Sequence, residues 1–66
     1  MNLTVNGEAR AFEALDHVAA LVAALGLDTK KVAVERNLEI VPRSAYGMTP
    51  LADGDRIEIV HFIGGG

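Results

Sequence analysis

Apolar and polar residues alternate strictly at the start of the chain, with Met1, Leu3 and Val5 set against Asn2, Thr4 and Asn6. A period of two puts successive side chains on opposite faces of a strand, so this segment reads as a strand with one buried face. Asn6-Gly7 follows, the dipeptide best suited to a type I′ turn, which needs positive φ at both central positions. Such a turn pairs Val5 with Glu8, Leu3 with Arg10 and Met1 with Phe12 on a returning strand. Phe12 then joins the core face, and Arg10 lays its aliphatic stem along it.

Beyond Asp16, a good N-cap residue type, the period changes. Val18, Leu21, Val22 and Leu25 fall at i, i+3, i+4 and i+7, one face of a helix. Ala19, Ala20, Ala23 and Ala24 add helix propensity. Gly26 stands where a left-handed residue closes a helix, and Leu27 supplies the accompanying apolar contact. Val32 and Val34 alternate with Ala33 and Glu35 in a third strand. Arg36-Asn37 makes a turn, and Leu38 to Val41 forms a short fourth strand that Pro42 ends. Arg43 to Pro50 reads as irregular chain with one helical turn, and Asp53-Gly54-Asp55 as a tight turn. Arg56 to Ile63 is the last and most apolar strand.

One helix covers one face of a sheet and leaves the other to solvent or a partner. The order strand, strand, helix, strand, short strand, strand suits a mixed sheet of four to five strands whose first and last members are central neighbours. The fold class expected is therefore α+β, in the β-grasp arrangement of ubiquitin-like proteins, with the domain over 1–63 and a glycine tail over 64–66. Within the last strand, Ile57, Ile59 and Ile63 share a parity with His61 and suit the core. Val60 and Phe62 share the other parity with Arg56 and Glu58. Two readings of Val60 and Phe62 stand open: an apolar partner surface beside the tail, or residues covered by a loop or the early strands.

Composition removes most enzymatic readings. At 66 residues, a single domain buries only roughly 60% of its unfolded surface and has little room for a substrate cavity. The net charge is −3, from nine acidic and six basic side chains. With no basic run beyond Lys30-Lys31, a nucleic-acid footprint is not expected. The mildly acidic balance suits a basic partner but is common among soluble proteins. Without cysteine there is no disulfide, thiolate nucleophile or cysteine metal site, which fits a reducing cytoplasm. No segment reaches the ~20 apolar residues of a membrane span, and Met1-Asn2-Leu3-Thr4 lacks the basic start of a signal peptide.

The remaining polar residues make no catalytic constellation. His17 and His61 lie on different elements, short of the three or four ligands a metal site uses. Ser44 lacks a nucleophile-elbow context, Asp53-Gly54-Asp55 lacks the further ligands of a calcium loop, and no phosphate-cradling motif occurs. No metal and no bound cofactor are expected. That leaves Gly64-Gly65-Gly66. Glycines lose the most backbone entropy on ordering and bury no apolar area, so stability does not ask for them. A frayed end, an expression scar and a slender arm for a narrow channel all remain open on composition alone.

Several segments, taken together, favour the arm. Met1 to Gly7, the helix bearing Val18, Leu21 and Leu25, Val32 to Asn37, Ile40-Val41-Pro42-Arg43, Leu51 to Ile59 and the final glycines resemble, over essentially the whole chain, the bacterial sulfur carrier proteins of thiamin biosynthesis. That resemblance implies that the Gly66 carboxylate is adenylated by a partner adenylyltransferase using ATP and magnesium, with Gly64 and Gly65 threading it into the partner. It implies next that sulfur, from cysteine by way of a desulfurase system, converts the adenylate to a thiocarboxylate, and that thiazole synthase receives the sulfur. The protein would then be a co-substrate without catalytic residues of its own. Alternatives are the small subunit of molybdopterin synthase, which often has proline near a tail that here runs Phe62-Ile63-Gly64, a conjugating modifier or a carrier for another pathway such as tRNA thiolation, and a non-catalytic ubiquitin-like interaction domain.

Overall fold

Asn6 and Gly7 adopt φ of 50° and 82°, the positive values a type I′ turn requires. They join strand β1 (Asn2–Val5) to strand β2 (Glu8–Ala11). The register is the expected one, Val5 opposite Glu8 and Leu3 opposite Arg10. Met1 and Phe12 extend the pairing: the N-terminal ammonium donates to the Phe12 carbonyl and the Phe12 N–H to the Met1 carbonyl, each at 2.8 Å. The Arg10 guanidinium lies over the Phe12 ring, 5.5 Å from its centroid. The structure, a computed structural model, describes residues 1–62. The expected boundary between residues 63 and 64 lies outside them.

Helix α1 (Val18–Ala24) is only seven residues long, too short to persist without tertiary packing. Its N-cap is His17, not the expected Asp16: the His17 Nδ1 accepts from the Ala20 N–H at 3.2 Å. The other orphan donors of the first turn are taken by the loop that follows the fourth strand. Val18 donates to the Thr49 carbonyl at 3.0 Å and Ala19 to that of Tyr46 at 2.8 Å. A partner one residue along the chain thus displaces Asp16, because the cap is shared with a distant loop whose approach only the fold decides. The C-terminal end behaves as expected. Gly26, at φ 75°, lets its own N–H reach the Ala23 carbonyl and that of Leu27 the Val22 carbonyl, a Schellman closure.

A one-turn 3₁₀ helix (Thr29–Lys31), capped by the Asp28 carboxylate, leads into strand β3 (Val32–Arg36). The next strand, β4 (Glu39–Val41), is one residue shorter than expected. Leu38 belongs instead to the connecting turn, where Asn37 and Leu38 both have positive φ, 51° and 72°. A bulky residue rarely occupies that region. A second 3₁₀ turn (Arg43–Ala45) and a turn at Gly54 precede strand β5 (Arg56–His61).

The five strands form one mixed sheet in the order β2-β1-β5-β3-β4. First and last strands are parallel central neighbours, with Val5 opposite Ile57, and β3 runs antiparallel to β5. This is the expected α+β, β-grasp fold. Leu3, Val5, Val32, Val34, Ile57 and Ile59 meet Val18, Leu21 and Val22 in the core. Tyr46 enters from the loop after β4, fully packed, its hydroxyl donating to the Val32 carbonyl at 3.0 Å.

Candidate functional site

The alternation along β5 decides the open question about its second face. Ile57 and Ile59 are buried, while Val60 is 61% and Phe62 49% exposed. Among the described residues, no loop and no early strand covers them. On β3 the same face carries Ala33, opposite Val60, and Glu35, opposite Glu58. On β4 it carries Ile40, opposite Glu35 and 80% exposed. The face opposite the helix therefore mixes exposed apolar residues with Glu35, Glu58 and, at the start of β5, Arg56.

The end of β5 is held firmly. Val60 and His61 pair with Ala33 and Val32, and Phe62 donates its N–H to the Lys31 carbonyl at 2.8 Å. Two side-chain clasps secure the rest of the strand. At its middle, Asn6 continues the ladder that β1 has left: its Oδ1 accepts from the Ile59 N–H at 2.7 Å and its Nδ2 donates to the Ile59 carbonyl at 3.2 Å. At its start, buried Asp55 accepts from Arg36 Nε at 2.8 Å, Asn37 Nδ2 at 3.0 Å and the Ala52 N–H at 2.8 Å. Asn37 in turn accepts from the Arg56 N–H at 2.9 Å. Burial pushes the Asp55 pKa up, but the Asn37 and Ala52 hydrogen bonds and the Arg36 guanidinium outweigh it. The carboxyl is held below its ordinary value. Both clasps went unrecognised in the sequence, where Asn6 and Asp55 were sufficiently explained as turn residues. They leave the last described residue of β5 in a fixed position relative to the core.

Gly64, Gly65 and Gly66, the expected arm and attachment point, lie outside the described residues. The structure gives the other candidates structural duties or none. His17 caps the helix, and His61 stands exposed at a cleft of about 240 Å³ that Val5, Leu25, Leu27 and Ile59 also line. That volume falls below the usual range for small-molecule pockets. Among the described residues no three His, Asp or Glu side chains converge as a metal site requires, and no helix is long and apolar enough to cross a membrane.

Comparison with known proteins adds what geometry alone does not. Over all 66 residues the chain is 59% identical to a protein named thiazole synthase from Paramagnetospirillum magneticum. It is 47% identical to one of the same name from Magnetococcus marinus. It spans only 20% of the length of each. To the sulfur carrier protein ThiS of Bacillus subtilis it is 52% identical over 46 residues, 70% of each chain. The crystal structure of a thiamine biosynthesis protein (ThiS) from Geobacter metallireducens superimposes with a TM-score of 0.83 at 39% identity, covering the whole of both chains. The model of the ThiS family matches residues 3–66, the β-grasp core and the glycines that follow it alike, and the chain belongs to that family.

Proposed function

We propose that the protein is a sulfur carrier of thiamin biosynthesis whose cargo rides on the carboxylate of Gly66. The observation that carries this reading is the extent of the family match, which runs through the glycine triplet to residue 66. The chemistry is that of an acyl activation. A carboxylate oxygen of Gly66 attacks the α-phosphorus of ATP and expels pyrophosphate, giving an acyl-adenylate. The outer sulfur of a persulfide donor then attacks the acyl carbon and expels AMP, and a thiol reductant attacks the donor sulfur of the resulting acyl disulfide, leaving a thiocarboxylate on Gly66 and a disulfide between reductant and donor. ATP and its magnesium belong to the partner adenylyltransferase, and the sulfur comes from cysteine by way of a desulfurase system.

The carrier acts as a co-substrate in the cytoplasm. The recipient is thiazole synthase; two proteins of that name each contain a stretch similar to this entire chain, which supports a working association between carrier and synthase. Gly64 and Gly65 form an arm slim enough for a passage that side chains would block. Exposed Val60 and Phe62 stand just before that arm and give the partner an apolar hold.

Intact mass of the protein after incubation with its activating enzyme, ATP and a sulfur source should rise by the difference between sulfur and oxygen. Removal of Gly66 should abolish that change with the fold intact; thiolation of the shortened chain would refute assignment to the terminus. Phe62→Asp should weaken binding of the adenylyltransferase while thermal stability stays near that of the parent. Unfolding of this variant would show Phe62 to be a core residue instead.

A further inference from the structure

Asn6 does more than its turn requires. A type I′ turn accepts glycine at both central positions, and the φ of 50° at Asn6 suits glycine better than any residue with a Cβ. What the carboxamide adds is the pair of hydrogen bonds to the Ile59 backbone. The place of that contact matters for the tail. Pairing of β1 with β5 ends at Val5 opposite Ile57. The Asn6 N–H then donates to the Ile57 carbonyl at 2.9 Å, and the chain turns away into β2. On the other side, pairing of β4 with β3 reaches only Val34. The sheet therefore narrows to two strands at its exit: among the described residues, the backbones of Val60, His61 and Phe62 are held by β3 and Lys31 alone. Two-stranded ribbons are marginal in water, and such ends open before the core does. Past Asn6, the free edge of β5 borders the cleft that His61 lines with Leu25, Leu27, Glu8 and Arg10.

We propose that Asn6 is a positioning residue for the carrier's tail. Its carboxamide stands in for the residue that β1 no longer supplies, keeps the end of β5 closed, and so presents the glycines from a fixed exit. Asn6 acts through the backbone of Ile59 and not on the reacting carboxylate. The proposal rests on the carrier reading. An activating enzyme that meets an ordered strand end spends little of its binding energy on ordering the approach to the tail. A frayed end has to close on binding, and the apparent affinity falls by the fraction of carriers that are closed. The loss therefore appears in KM for the carrier. The chemical step is spared, because a seated tail is held by the enzyme whichever way the free carrier spends its time.

Asn6→Gly tests this, because it removes both side-chain hydrogen bonds and leaves a residue the turn accepts; the variant should keep the parental circular dichroism. In an adenylation assay that follows pyrophosphate release over a range of carrier concentrations, its KM should rise about three- to tenfold with kcat within about twofold of the parent. Amide hydrogen exchange at Phe62, whose N–H is bonded to Lys31 and not to Asn6, should quicken by about the same factor. Val18→Ala separates positioning from stability: it opens a cavity at a buried helix position and leaves the edge of β5 untouched. This variant should melt lower than the parent and keep its KM within about twofold. A KM for Asn6→Gly within about twofold of the parent, an equal rise in Val18→Ala, or unchanged exchange at Phe62 overturns the proposal, while adenylation of the parent still upholds the carrier reading. A parent chain that the enzyme does not adenylate refutes the carrier reading, and the positioning role with it.

Discussion

Asp55→Ala tests how β5 is anchored. The substitution removes an acceptor from the Ala52 N–H, from Asn37 Nδ2 and from Arg36 Nε. The first two are neutral donors to a buried carboxylate and contribute about 1 kcal/mol each. The Arg36 pair is discounted to about 0.5–1 kcal/mol, because the guanidinium side is 31% exposed and solvent screens it. The sum is about 3 kcal/mol, a large share of the roughly 3–10 kcal/mol available to a domain of this length. Urea unfolding followed by circular dichroism should report that loss with an unchanged slope, and melting should fall by about 12–24 °C.

A second signature comes from pH. The Asp55 carboxyl is held below its ordinary value in the folded chain, so the folded state binds that proton less readily than the unfolded state. Its contribution is fully present above the unfolded value of about 3.9. That contribution disappears as pH falls from about 5 through the lower folded value. Asp55→Asn, which keeps the shape, should therefore be less stable than the parent at pH 7 and approach it as the solution is acidified. A cost below about 1 kcal/mol for Asp55→Ala, or a gap between parent and Asp55→Asn that stays constant from neutral to acid pH, would refute the reasoning.

Three further substitutions at two positions separate backbone strain from side-chain bonding, all read by urea titration. Asn6→Ala loses two hydrogen bonds to Ile59 and places a Cβ residue that lacks the Asn side chain at φ 50°, and should cost about 2–3 kcal/mol. Asn6→Gly, free of the strain, should cost less. Leu38→Gly should raise stability by about 0.5–1 kcal/mol, because it relieves a left-handed leucine at φ 72° that is 76% exposed and has little packing to lose. A fall in stability would show that Leu38 packs against the sheet.

What the chain's residues determined by themselves was local and periodic. The β1–β2 register followed from Asn6-Gly7, whose turn admits one pairing, and the helix end followed from Gly26, whose conformation closes it. The order of elements was enough to place the first and last strands side by side, since a single helix crossing a sheet leaves few topologies. The tertiary structure decided whatever depends on partners far along the chain. His17 rather than Asp16 caps the helix because the loop carrying Tyr46 and Thr49 arrives there to share the task. Leu38 is a turn residue because Asn37 is drawn to Asp55 and Arg56, and the left-handed pair bridges β3 to β4. Val60 and Phe62 are exposed because no other element among the described residues crosses that face. The opposition of Glu35 and Glu58, 23 positions apart, exists only once β3 and β5 are paired, and neither glutamate is unusual within its own strand.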